Sequence, residues 1–161
     1  MIVKMKKLRD NVILPTKNNE NDAGFDCYVN GFLRWNSLSS KFIHYDDNMN
    51  SLLVLQGNII GCKLGFSIEI PKGYYMQLVP KSGLALKHGI TVVNSPGTID
   101  SGYRGEGIAI ITNLSRISYE VKLGDKIAQL ILRKEIKTEL VESNVLEDSK
   151  RGKKGFGSSG R

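Results

Sequence analysis

Cysteine and histidine are too scarce in this sequence to build a metal centre of the usual kind. Two of each occur in 161 residues. Cys27 and Cys62 form no CxxC pair and His44 and His88 stand alone, so the ligand spacing of a zinc site is missing. The two cysteines read as buried thiols of a reducing compartment. Long hydrophobic runs are missing as well. None approaches the ~20 apolar residues of a membrane-spanning helix, and the N-terminal MIVKMKKLRD lacks the apolar core of a secretory signal. The expectation is a soluble, intracellular protein of cytoplasm or nucleus, without a membrane partner. Neither a GxSxG elbow nor a GxxxxGK(S/T) loop occurs. Gly155, Gly157 and Gly160 do spell GxGxxG, but only Arg161 follows. A dinucleotide fingerprint needs a strand before it and a helix after it, so that reading fails.

Charge is present but uneven. The formal charge is +7, from 23 basic and 16 acidic residues. Lys150, Arg151, Lys153, Lys154 and Arg161 supply five of the basic residues, leaving 18 against 16 in the rest of the chain. A nearly neutral body argues against a broad nucleic-acid-binding face, and no stable nucleic-acid binding is expected. The basic tail suits an anionic ligand.

Short runs rich in β-branched residues recur at 1–8, 52–60, 64–70, 74–79, 90–93, 107–112, 117–123, 127–132 and 136–146. In 117–123 the alternation is clean, with Ile117, Tyr119, Val121 and Leu123 on one face. Turn signals such as Pro71-Lys72-Gly73 and Ser95-Pro96-Gly97 separate the runs. No stretch of ten residues has a 3.6-residue period. Many evenly spaced short strands predict an all-β sandwich, jelly roll or barrel. One helical turn is expected at 82–88, with Ser82 as N-cap and Gly89 as stop. Residues 30–50 read as a long loop or insertion. At 161 residues one domain suffices: a β body over 1–148 and a mobile glycine-rich arm over 149–161.

Polar residues gather at turns: AGFD (23–26), PKSG (80–83), NSPGTIDSGYRGE (94–106), GDKIAQ (124–129) and RGKKGFGSSGR (151–161). The stretch Asn94 to Glu106 reads as a β-hairpin whose Gly97, Gly102 and Gly105 let the backbone approach a ligand. Main-chain N–H and C=O groups there could read the edge of a base, and a mismatched base would leave them unpaired.

Taken together, AGFD, PKSGLALKHGI, GTIDSGYRGE, GDKIAQLIL and RGKKGFGSSG resemble, in order and rough spacing, the five motifs of the trimeric dUTPases. The resemblance spans residues 23 to 160. It implies a jelly-roll-like subunit in a homotrimer with active sites shared between subunits. The implied reaction is hydrolysis of dUTP to dUMP and pyrophosphate with Mg2+, which keeps uracil out of DNA and supplies dUMP for thymidylate synthesis.

The same resemblance implies a set of roles. Asp100 is the general base, orienting a water for in-line attack on the α-phosphorus and accepting its proton. Asn94, Gly97 and Ile99 belong to the hairpin that holds uracil and excludes the thymine methyl, and Tyr103 packs on the deoxyribose. Lys81, Ser82 and Gly83 form the phosphate-binding motif; the family has arginine at the position of Lys81, and lysine cannot make the bidentate fork. Gln129 bonds the phosphates. Asp26 is linked to the metal through water, with Mg2+ held mainly by the triphosphate. Arg151, Gly157, Ser158 and Ser159 grip phosphates from the arm while Phe156 stacks on the base. His88 is expected at a subunit contact, and Arg104 and Glu106 in structural contacts of the hairpin or interface. The segment between the first two motifs is longer than the family usually has, which places a loop insertion within 30–60. Two other readings stay open: a dCTP deaminase-type relative, and a non-catalytic module holding single-stranded nucleic acid through the tail.

Overall fold

The computed structural model of the chain describes residues 1–45 and 49–155. In chain order the elements are β1 (Lys4–Lys7), β2 (Gly24–Tyr28), β3 (Phe32–Asn36), β4 (Lys41–His44), β5 (Ser51–Val54), β6 (Ile59–Lys63), β7 (Phe66–Glu69), β8 (Tyr74–Pro80), α1 (Ser82–His88), β9 (Ile90–Val92), β10 (Gly97–Ile99), β11 (Ile108–Asn113), β12 (Tyr119–Lys122) and β13 (Lys126–Lys134). They form a four-stranded sheet in the order β10-β8-β13-β2 and a five-stranded sheet in the order β4-β3-β6-β11-β9. Two-stranded pairs β1-β7 and β12-β5 complete the body. Every paired strand is antiparallel. The all-β, jelly-roll-like expectation holds.

Alternation puts one face of each sheet into a common core. In β11, Ala109, Ile111 and Asn113 are buried while the residues between them are not. Met76, Leu78 and Leu130 of the four-stranded sheet join Phe32, Ile60, Ile90 and Ile111 of the five-stranded sheet in one cluster. Phe66 and Ile68 of β7 extend it, as do Val54 of β5 and Val121 of β12. Each large apolar side chain so buried contributes about 1.5–3 kcal/mol. The fully buried Asn113 is satisfied: its amide donates to the carbonyls of Val54 (2.9 Å) and Ile117 (2.8 Å) and accepts from the Ser115 N–H at 2.8 Å. Among the described residues no helix is long and apolar enough to cross a membrane.

Four local expectations need correction. The stretch 30–50 carries the hairpin β3–β4, with Trp35 opposite Phe42 and Leu33 opposite His44. Its turn contains no Gly or Pro; Asn36 stabilises it by accepting from the N–H groups of Leu38 and Ser39, the Asx geometry that substitutes for a glycine turn. The run 136–146 forms no strand. It pairs with no described strand, and Ile136, Leu140, Val141, Val145 and Leu146 are all exposed. Ser82 is the first helical residue rather than the cap; Lys81 holds the cap position and makes no side-chain cap bond. The helix does stop at Gly89, whose backbone is left-handed with φ 67°.

The fourth correction concerns 94–106, which is not a two-stranded hairpin. Only Gly97–Ile99 is a strand, and it pairs with β8 rather than with its own return limb. Residues 100–106 form a turn held by other bonds, described next.

Candidate active site

A cleft of about 620 Å³ opens beside β10. Asn94, Gly97, Ile99, Asp100 and Tyr103 line it on one side. The opposite wall comes from the β3–β4 hairpin and its sheet, through Leu33, Trp35, Phe42, Ile59 and Ile110. Trp35 and Phe42 pack edge to face there, with centroids 5.0 Å apart. The walls are mostly apolar, with Arg34 and Ser37 on the hairpin side and Asn94, Thr98 and Asp100 across from them, the composition of a small-molecule site.

The turn after β10 is fixed by its own side chains. The Tyr103 N–H donates to the Asp100 carbonyl at 3.1 Å, and the Tyr103 hydroxyl donates to the Glu106 carbonyl at 3.0 Å. Arg104 donates to the carbonyls of Ser101 (2.7 Å) and Tyr103 (2.8 Å), so its contacts are structural, as expected. Gly105 lies against the Tyr103 phenol, and a Cβ there would run into the ring. That close approach is what requires glycine; Gly102, by contrast, has open space around it. The Asp100 carboxylate is exposed.

A second group of candidates assembles around Asp26. Although 97% of it is shielded from solvent, its carboxylate receives four donors. Lys81 and Gln129 (3.2 Å) donate to Oδ1, while Lys126 (2.9 Å) and Asn18 (3.2 Å) donate to Oδ2. Lys126 also donates to the side-chain Oδ1 of Asn18 at 2.6 Å. Burial pushes the Asp26 carboxyl up, but the hydrogen bonds from Lys81, Lys126 and Gln129 together outweigh it and hold the group below its ordinary value. The bond from Asp26 in turn raises Lys126.

Strand register explains how these residues meet. Gln129 lies directly across from Asp26 on β2 and from Val79 on β8, and Lys81 follows β8 at once. Lys126 and Gln129, three apart in sequence, would point to opposite faces of a regular strand. An irregularity in pairing between Lys126 and Ala128 brings both to Asp26. Sequence reasoning quoted GDKIAQ and took only Gln129 from it; Lys126 was missed because a bulge leaves no mark in the alternation. Asn18 and the aromatic wall of the cleft were missed too.

The two groups do not share a face. Gly97 pairs with Leu78, and Leu78 with the core residue Leu130, so Gly97 and Ile99 belong to the inner face of the four-stranded sheet. Asp26, Gln129 and Val79 form the adjacent row, whose side chains point the other way. Ser82 and Gly83 are exposed at the start of α1, and no described side-chain bond joins them to either group. His88 packs against Tyr119, with ring centroids 4.7 Å apart. Arg151 is exposed and donates to the Lys154 carbonyl at 3.0 Å. Phe156, Gly157, Ser158 and Ser159 lie outside the described residues.

The antiparallel β body thus carries a mostly apolar cleft and, apart from it, a buried carboxylate ringed by cations and amides. A sequence profile of the dUTPase family matches residues 48–160, and the chain belongs to that family. It is 38% identical over 159 residues to the deoxyuridine 5'-triphosphate nucleotidohydrolase of Clostridium tetani (strain Massachusetts / E88), covering 99% of this chain and 97% of the relative. It is 37% identical over 163 residues to the enzyme of that name from Nautilia profundicola, across 100% of both chains. In fold it is similar to a dUTPase variant of Staphylococcus bacteriophage 80alpha solved with dUpNHpp, with a TM-score of 0.77, 24% identity and 99% of each chain covered. A variant of the dUTPase of phage phi11 of S. aureus, solved with a coordinated structural Mg(II) ion, is also similar in fold (TM-score 0.73, 20% identity, 92% of this chain and 100% of that one).

Proposed function

We propose that this chain hydrolyses dUTP to dUMP and pyrophosphate, as an intracellular homotrimer whose active sites are built from more than one subunit. The observation that carries this reading is the division of the site. The cleft holds Asn94, Gly97, Ile99, Asp100 and Tyr103, while Asp26, Lys81 and Gln129 meet on the other face of the same sheet. One nucleotide cannot occupy a cleft on one face and reach the phosphate ligands on the other within a single subunit. A second copy presenting its Lys81 and Gln129 to the first copy's cleft removes the difficulty. The exposed apolar run from Ile136 to Leu146 suits a segment that packs on another copy before the arm at 149–161 reaches a site.

In this reading uracil enters the cleft beside the main chain of 97–99 and Asn94. Tyr103, its phenol fixed by the Glu106 carbonyl, presents a ring to the deoxyribose. Asp100, exposed beside the cleft, orients the attacking water and takes its proton. The triphosphate competes with Asp26 for Lys81, and Gln129 adds an amide donor. Arg151, Ser158 and Ser159 come to the phosphates from the arm, and Phe156 closes over the base.

Magnesium fits this arrangement as a metal brought by the substrate. Among the described residues no three or more His, Cys, Asp or Glu side chains converge, and the Asp26 carboxylate already accepts from Lys81, Lys126, Gln129 and Asn18, so it would meet a metal-bound water only once the triphosphate draws a lysine away. Bound to the triphosphate, the ion would supply charge neutralisation at the phosphate oxygens. The experiment is to incubate pure protein and magnesium with dUTP, dCTP, dTTP and UTP and to measure pyrophosphate and ammonia. Pyrophosphate from dUTP alone is expected; ammonia from dCTP or inertness toward all four overturns the reading. Sedimentation should give about three times 17.9 kDa; an active monomer would contradict the shared site.

A further inference from the structure

The basic N-terminal KKLR stretch has the look of a solvated charge run, yet one of its cations is bonded into the foundation of the cleft. Arg9 follows β1, and its position is set by backbone pairing. Lys7 lies opposite Phe66, and the Leu8 N–H donates to the Gly65 carbonyl at 2.9 Å. From there Nη2 of Arg9 donates to Glu106 Oε1 at 2.9 Å and to the Asn30 carbonyl at 3.2 Å.

The same Glu106 oxygen accepts the Gly65 N–H at 3.0 Å. Gly65 turns its N–H that way through a left-handed backbone, φ 74°, and a Cβ there would sit 2.5 Å from a methyl of Val12. Only glycine meets both demands. Glu106 thus has two donors, each anchored on a different part of the fold.

What Glu106 holds is the turn of the active site. Its carbonyl accepts the Tyr103 hydroxyl at 3.0 Å, and the Tyr103 N–H caps the Asp100 carbonyl at 3.1 Å. Backbone bonds already fix the foot of this loop, since Gly107 donates to Phe66 and accepts from Leu64, both at 2.9 Å. Fold stability therefore does not need the Arg9–Glu106 pair to keep the loop in place. The pair instead sets the orientation of the peptide that receives the Tyr103 hydroxyl. It is also more sheltered than a typical surface ion pair, with side chains 37% and 20% exposed, and charge-assisted bonds of this kind are the stronger class.

We propose that Arg9 is a positioning residue, which through Glu106 holds Tyr103 and Asp100 in register with the bound nucleotide. The inference rests on the reading of Asp100 as base and Tyr103 as the sugar-facing ring. Arg9 itself touches no substrate.

Kinetics of R9A, R9K, E106Q, the R9A/E106Q pair and D100N, with dUTP and UTP, test it. The R9A variant should lose about 10-fold in kcat, within the ~10²-fold that a misplacement of about 1 Å can cost. Its preference for dUTP over UTP should narrow at the same time, because the ring that faces the sugar is no longer fixed. That ratio does not depend on the fraction of active protein, so partial unfolding alone would not move it. R9K should restore most of both, and the double variant should be no worse than R9A. Should R9A fail to fold, E106Q keeps an oxygen for Gly65 and should show the same two changes in milder form. Lowered thermal stability in R9A and E106Q with kcat and the dUTP/UTP ratio unchanged overturns the inference. Normal turnover by D100N sinks the base reading itself and the inference with it, so the two failures are distinguishable.

Discussion

The two carboxylates at the centre of this molecule are treated in opposite ways by their surroundings. Asp100 stands exposed on the turn after β10, and among the described residues its side chain receives no hydrogen bond. Asp26 is buried and accepts from Lys81, Lys126, Gln129 and Asn18. An oxygen with free lone pairs can orient a water and take its proton. One whose lone pairs are occupied by two ammonium groups cannot do so without breaking those bonds. The difference supports the proposed division of labour, with chemistry at Asp100 and the organisation of cations at Asp26.

Asp100→Asn is the sharpest way to break that comparison. The amide keeps the size of the side chain and loses its basicity, so kcat should fall by the ~10²–10⁴-fold of a general base, while the affinity for dUTP is largely kept. Single-turnover release of pyrophosphate measures it. A variant with near-normal turnover would make Asp100 a bystander and leave the cleft without its base.

Asp26→Ala should act first on stability. Removing the carboxylate leaves Lys81 and Lys126 side by side without their anion and Gln129 without its acceptor, a loss of about 1–3 kcal/mol for stranded donors. Because both lysines can still reach solvent, the lower half of that range is expected. Denaturant unfolding reads it. The effect has a pH signature. The carboxyl of Asp26 is held below its ordinary value in the folded chain, so its contribution is fully present above about pH 3.9, the unperturbed aspartate value. It is lost as pH falls through the lower folded-state value. The alanine variant should lack that acid-side loss; identical acid profiles for the two proteins would show that the four donors contribute nothing.

Legibility follows the same division. The Asn94–Tyr103 side of the cleft was readable because NSPGTIDSGYRGE puts it in one contiguous stretch, and a turn with three glycines and a lone tyrosine announces a close approach; its aromatic wall comes from distant segments and was not. The strands β7, β8, β9, β11 and β13 were readable as short runs rich in β-branched residues between turn signals, and β12 by its alternation. The Asp26 cluster is assembled from four separate segments, by register and by a bulge in β13, and neither appears in a single sequence. The hairpin β3–β4 escaped notice because an asparagine side chain closes its turn where a glycine was sought. The run from Ile136 to Leu146 misled in the other direction: it has the composition of a strand, yet it joins neither sheet and keeps its apolar side chains exposed.

The smallest effect concerns the residue next to Asp26. Alternation along β2 turns Asp26 toward its cations and Cys27 into the core, where it is fully buried. Cys62, from β6 of the other sheet, is equally buried, and both are free thiols. Burial pushes both thiols well above the ordinary range; the charge of Asp26 adds to the effect at Cys27, and that of Asp125 at Cys62. The thiolate is the nucleophile, so neither cysteine should react appreciably with a thiol reagent at pH 8 in the native protein, and both should react at once in denaturant. The comparison sharpens when labelling is repeated in Asp26→Ala. If the carboxylate ties β2 to β13 and to the segment after β8, its loss should raise the local opening of β2 without opening β6. Cys27 should then label a few-fold faster than in the parent while Cys62 keeps its rate. Equal acceleration of both would mean that Asp26 stabilises the fold globally, and that the cluster has no local hold on the strand that carries it.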